Sequence, residues 1–264
     1  MASIAIFEDR TMSVGRVFER AISTVRRNPL ITVGVAALFG AAPAVAVQYL
    51  FMQIPSYALV MTVAGYALPG AIALSLARWF VSLVTGTIVQ GAMTRPVVAH
   101  SEGRKASVGE TLAAAGSALL PLFFLGVLTG IGVIIGTTLL IVPGMVVYLF
   151  WSVAAPALAE ERDGVFLALN RSQELTEGAR WKIIAVLLVL VAMSMGLGIA
   201  SGFASLLMFR TTFSADFTLW RLIIAGVMSI LVNLAYGTVQ ASLYVELRDW
   251  KEGASVESLG QVFA

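Results

Sequence analysis

Charge vanishes from this chain for stretches long enough to cross a bilayer, and that constrains its fold more than any other feature. Long uncharged runs alternate with short charged patches, and a hydrocarbon core about 30 Å thick needs about 20 consecutive apolar residues per helix. Residues 29–53, 119–137 joined to 139–159, 183–207 and 220–244 supply five such runs. Only 12% of the 264 residues are charged, 59% are apolar and the mean hydropathy is +0.91. A soluble domain carries about 25% charge. The fold class expected is therefore an all-α, polytopic membrane helical bundle.

A sixth run lies in residues 56–99, interrupted near its middle by Arg78. Loops retained in the cytoplasm are enriched in Lys and Arg, so the charges choose between topologies. If 79–99 alone spans, all of the 17 Lys and Arg residues except Arg78, Arg210 and Arg221 fall on the cytoplasmic side. If 56–77 spans as well, every later loop changes side and the bias disappears. The expectation is six spans with both termini cytoplasmic, and 56–77 lying at the outer interface or re-entering. Residues 1–28 carry Glu8, Asp9 and Arg10 before any apolar run, unlike a signal peptide, so the N-terminus is expected to remain inside.

The single membrane domain, 1–264, reads as an amphipathic N-terminal helix (1–28), a six-span bundle (29–244) and a cytoplasmic tail (245–264). Val14, Val17, Phe18, Ala21, Ile22 and Val25 form one helical stripe. Further amphipathic segments at 106–117 and 164–179 complete an interfacial collar. Ser107 and Glu110 have capping-box spacing, which predicts a helix start there.

The chain also contains an internal echo. Gly86-Thr87-Ile88-Val89-Gln90 followed by Glu102-Gly103 and Ala106-Ser107-Val108 returns as Gly237-Thr238-Val239-Gln240, Glu252-Gly253 and Ala254-Ser255-Val256. A fainter copy centres on Asp163-Gly164. Three pseudo-repeated hairpins of parallel topology are implied. Gly126/Gly130, Gly132/Gly136 and Gly198/Gly202 are spaced for close helix packing, within the chain or in a homo-oligomer.

Chemistry-bearing residues are sparse. No cysteine is present, and His100 is the single histidine, set beside Arg95, Arg104 and Lys105, which would repel a metal cation. No GxxxxGK phosphate loop occurs, and no serine stands in a setting that points to His100 as its base. No enzyme activity, cofactor or nucleic-acid partner is implied. The polar residues of the spans are Ser82, Thr85, Thr87, Gln90 and Thr94 on the second, and Asn233, Tyr236, Thr238 and Gln240 on the sixth. Asn233, Tyr236 and Gln240 share a helix face, and Gln90 and Gln240 are equivalent in the echo. These four residues are the candidate lipid or substrate groove, against a plainer reading of interhelical hydrogen bonding. Arg78 and Arg221, beside Trp79 and Trp220, are candidate headgroup contacts, because a guanidinium forks onto phosphate.

Pro156-Ala157-Leu158-Ala159-Glu160, Gly164, Ala168-Leu169-Asn170-Arg171-Ser172, Leu175-Thr176, Gly178 and Trp181 resemble the signature of the glycerophosphoryl diester phosphodiesterase membrane-domain family. Arg26-Arg27-Asn28-Pro29, Ile141-Val142-Pro143-Gly144 and Leu243-Tyr244-Val245-Glu246-Leu247-Arg248 are similar to it too, although that family often has Asp at the place of Glu246. The resemblance implies a six-span membrane domain of the bacterial cytoplasmic membrane and a link to glycerophospholipid metabolism. It does not carry over the catalytic barrel of its fused relatives, which needs histidines this chain lacks. The function expected is a non-catalytic module binding the phospholipid bilayer or a membrane-protein partner. A transporter or lipid translocator acting through the second and sixth spans is the alternative.

Overall fold

The computed structural model describes residues 12–52, 67–211 and 216–262, and every element within them is helical. Helix α1 (Val14–Arg27) precedes α2 (Pro29–Val35), which runs through a π-helical stretch (Ala36–Ala41) into α3 (Ala42–Met52). Then come α4 (Ala67–Ser101), α5 (Val108–Leu139), α6 (Ile141–Phe150), α7 (Ala154–Glu161), α8 (Val165–Thr176), α9 (Arg180–Thr211) and α10 (Asp216–Val262).

Among the described residues, five helical stretches are long and apolar enough to cross a membrane: Pro29–Leu50, Val108–Leu139, Val142–Glu161, Arg180–Ala204 and Leu219–Gly253. Residues 79–99, the expected second span, are helical throughout on α4 but are not among the five. Ser82, Thr85, Thr87, Gln90, Thr94 and Arg95 make residues 79–99 more polar than the other expected spans. Helix α4 also begins earlier than expected: residues 67–77 are its first three turns and run unbroken through Arg78. Residues 56–66 of the expected interfacial segment lie outside the described residues, as do Glu8, Asp9 and Arg10.

The bundle has two unlike ends. At one, charged helices enclose a close-packed interior: Val97, Val98, Ala99, Ala154, Ala157, Tyr244, Val245 and Leu247 are all buried. At the other, α5, α9 and α10 present apolar side chains outward, including Phe124, Ile135, Met195, Phe203, Leu219 and Ile223. Outward-facing apolar helices are what a lipid solvent demands. Helix α10 has 47 residues, more than twice the roughly 20 that cross a hydrocarbon core. Its second half forms the strut against which α1, α7 and α8 pack.

Local sequence explains most boundaries. Ser107 caps α5, its hydroxyl accepting the Glu110 backbone N–H at 3.0 Å. The Glu110 carboxylate pairs with Arg104 at 3.0 Å and is also held by the Ser107 backbone N–H, the reciprocal half of a capping box. The amphipathic 106–117 segment is thereby the opening of α5 and not a separate helix. Leu140 is extended and breaks α5 from α6, letting Gly136 lie on the Gly144 backbone, where a Cβ would meet Gly144 Cα at 2.9 Å. Gly126 and Gly130 do the same between α5 and α4, against Val84 and Phe80, so this pair serves packing inside the chain. Gly198 and Gly202 have open space around them.

On α1 the buried line is Val17, Ala21 and Thr24, with Val14 and Phe18 at its margin and Ile22 turned outward. The sequence echo does not share one backbone form. Gly103 and Gly164 turn the chain at φ 77° and 99°, values that glycine adopts without strain, whereas Glu252-Gly253 continues the α10 helix.

Candidate functional site

The helical bundle encloses a cavity of 280 Å³ between α3, α4, α9, α10 and the π-helical stretch. Its position follows from the π stretch, where Gly40 brings the first span's backbone against Asn233 of α10. A Cβ on Gly40 would stand 2.5 Å from Asn233 Cγ, so no larger residue fits unless the amide moves. Such π-helical turns often mark functional positions because they re-aim the chain without ending the helix. Asn233 Nδ2 donates to Ser229 O at 2.8 Å and to Ser229 Oγ at 3.1 Å, which spends both its protons and leaves its oxygen as the free polar atom.

Gln48 of α3, Arg78, Ser82 and Thr85 of α4, and Asn233 of α10 line the cavity, with the hydroxyls of Ser194, Ser201 and Ser229. Val45, Val81, Leu197 and Met228 supply apolar wall. Gln48 Oε1 is buried without a hydrogen-bond partner among the described residues. Arg78 is exposed on α4. It stands 23 residues before Ser101, about 35 Å along the helix at about 1.5 Å per residue, so a bilayer's thickness separates it from the ion-paired end.

The structure thus brings Asn233 and Arg78 together in one cavity but distributes the other candidates elsewhere. Gln240 is fully buried in the interior, with both amide atoms lacking a hydrogen-bond partner. Tyr148 of α6 stands beside Gln240 and Tyr236 without closing a hydrogen bond of normal geometry to that amide. Gln90 is half-buried on α4 and is not part of the cavity wall. Arg221 is exposed on α10 and also lies off it. Thr87, Thr94 and Thr238 bond back to the carbonyls of Leu83, Gln90 and Leu234, so these hydroxyls satisfy their own helices.

Gln48 and the serines of α9 were not singled out by sequence reasoning. One signal was available: Gln48 interrupts the long apolar run of the first span.

The ion-paired end forms a second concentration of polar groups. Glu246 of α10, almost fully buried, accepts Arg16 Nε at 2.8 Å and the Ser13 backbone N–H at 3.2 Å, with Arg20 3.6 Å away. Glu161 accepts the Tyr244 hydroxyl at 2.9 Å and Arg171 Nε at 3.0 Å, while Arg171 also reaches Glu252. Arg95 and Glu160 approach to 3.7 Å. Ser172 Oγ donates to Phe150 O at 2.7 Å and accepts Val153 N–H at 3.3 Å, bracing the turn between α6 and α7. The 156–176 signature is therefore largely packing and bracing, with Trp181 left exposed. A shallower cavity of 220 Å³ opens here, lined in part by Glu161, Asp163, Asn170, Arg171 and Glu174. No group of three or more metal-ligating side chains occurs among the described residues.

The class these features define is a polytopic helical bundle with membrane-length apolar helices and a polar cavity between them. Residues 12–247 match the family described as a domain of unknown function (DUF7847), and the chain belongs to that family. No solved structure matches it.

Proposed function

We propose that this chain is a non-catalytic integral membrane module that holds a phospholipid between its spans. The reading takes α4 as the second of six spans, both termini as cytoplasmic and the bacterial inner membrane as the site of action. The ion-paired end then faces the cytoplasm, and Arg78 lies at the outer interface. The observation that carries it is the 280 Å³ cavity, where a guanidinium and two amides meet apolar wall inside helices of membrane length. A phosphate suits the first, glycerol hydroxyls suit the amide oxygens, and acyl chains suit the wall. Among the described residues the cavity wall has hydroxyls but no His, Lys or carboxylate to activate one, which favours binding over bond cleavage. The resemblance to the glycerophosphoryl diester phosphodiesterase membrane-domain family fits a role beside glycerophospholipid metabolism.

Mass spectrometry of gently solubilised protein tests this reading. Phospholipid should co-purify and be depleted in Gly40→Val, which fills the contact with Asn233; a lipid-free, stable wild-type protein would sink the proposal. One observation favours a translocator as the second reading: Gly40 packs against Asn233 in the cavity wall at a π-helical turn of the first span. Lipid or solute flux in proteoliposomes, reduced by Asn233→Leu, would select it.

A further inference from the structure

We propose that the membrane cavity selects an anionic phospholipid whose phosphate carries an uncharged polyol, and that it discriminates against headgroups bearing an ammonium group. This rests on the lipid-binding reading above and adds the headgroup class. The argument is a charge count. Among the described lining residues Arg78 is the one cation, and none is Asp or Glu. A phosphodiester carries one negative charge, so Arg78 and the phosphate neutralise each other, with the guanidinium fork matching two phosphate oxygens. An ammonium group added to that pair would be a second cation with no carboxylate to receive it. Held in the cavity beside Arg78, that second cation would meet like-charge repulsion with no nearby carboxylate among the described residues to offset it.

The hydrogen-bond inventory points the same way. Gln48 Oε1 is a buried acceptor without a partner among the described residues, and Asn233 has its amide protons engaged by Ser229. What remains is a pair of carbonyl oxygens in need of neutral donors. Ser82 and Thr85 add hydroxyls that donate or accept. A glycerol-type headgroup presents hydroxyls that satisfy both kinds of neighbour and adds no charge.

The test is competitive loading of the purified full chain. Protein depleted of lipid by detergent exchange is offered equimolar phosphatidylglycerol, phosphatidylethanolamine and phosphatidylcholine with identical acyl chains, with glycerol 3-phosphate in a parallel arm, and adducts are read by native mass spectrometry. Phosphatidylglycerol should exceed each ammonium-bearing lipid by about tenfold, the scale expected for one unpaired charge excluded by specificity. Arg78→Gln should abolish that preference, and Arg78→Lys should weaken binding by removing the fork. Arg78 is exposed, so neither change threatens folding. Gln48→Leu should narrow the ratio and lower phosphatidylglycerol loading, because it removes an acceptor for the headgroup hydroxyls.

Equal loading of all three lipids would overturn the headgroup assignment and leave lipid binding standing. Loading of none would overturn both. Saturable binding of glycerol 3-phosphate with no lipid adduct would show the ligand to be a soluble phosphate and would also overturn the proposal.

Discussion

Glu246 shows how much of the ion-paired end depends on single side chains. It receives Arg16 and the Ser13 N–H across 230 and more residues of sequence, with Arg20 nearby, and it is almost wholly buried. Glu246→Gln keeps the shape and removes the charge that holds α1. Hydrogen bonds to charged groups contribute about 1.5–3 kcal/mol each, and exposure of Arg16 puts the expected loss at about 1–3 kcal/mol. Unfolding in detergent should show it as a lowered midpoint, and proteolysis of α1 should accelerate. His100 makes a second residue-scale prediction. Its imidazole contacts Ser23 Oγ at 2.8 Å, and burial, then Arg27 and Arg20, hold its pKa below the ordinary 6.5. The unfolded chain therefore takes up the proton first as pH falls. Stability from this group is complete above pH 6.5 and is lost as pH drops from there through the folded-state value. The thermal midpoint of wild type should fall on acidification across that window, and His100→Gln should flatten this part of the profile.

At the scale of elements, the bundle distinguishes glycines that are spaced alike in sequence. A Cβ on Gly126 would meet Val84 Cα at 2.9 Å, and backbone cannot yield as a side-chain tip can. Gly126→Ala should separate α4 from α5 and cost about 1–3 kcal/mol, the range for overpacking. Gly202 has nothing within 4 Å of its Cβ position, so Gly202→Ala should be neutral or stabilising by up to about 1 kcal/mol through helix propensity. Comparing the two thermal midpoints checks both. The Ser107 hydroxyl caps the start of helix α5, and Ser107→Ala should remove about 1 kcal/mol. The first span differs in kind: its π-helical stretch keeps the helix continuous while re-aiming Gly40 at Asn233.

For the whole molecule, the decisive prediction is topology. The chain has no cysteine, so single cysteines at Ser101 and Ser172 should react with membrane-impermeant reagents only after the cytoplasmic side is opened. Cysteines at positions 56 and 214 should react from outside. Labelling of 101 and 214 from the same side would remove the six-span arrangement. Five apolar helices were legible in the chain because lipid exposure writes itself as composition, with no dependence on neighbours. The capping of α5 by Ser107 was legible for a similar reason, being settled within one turn of helix. The cavity was only half legible. Asn233 and Arg78 stood out as polar residues of spans, yet nothing local links Asn233 to Gly40 or Gln48, which lie nearly 200 residues away. Gln240 shared a face with Asn233 in the sequence, but about two turns further along α10 it meets Tyr148 and the closed interior. Residue order by itself therefore determined that this chain is helical, apolar and of membrane length, since those properties depend on solvent preference and backbone geometry within a single segment. Tertiary structure alone decided which polar side chains share a cavity and which are consumed as struts, because both depend on where separate helices cross.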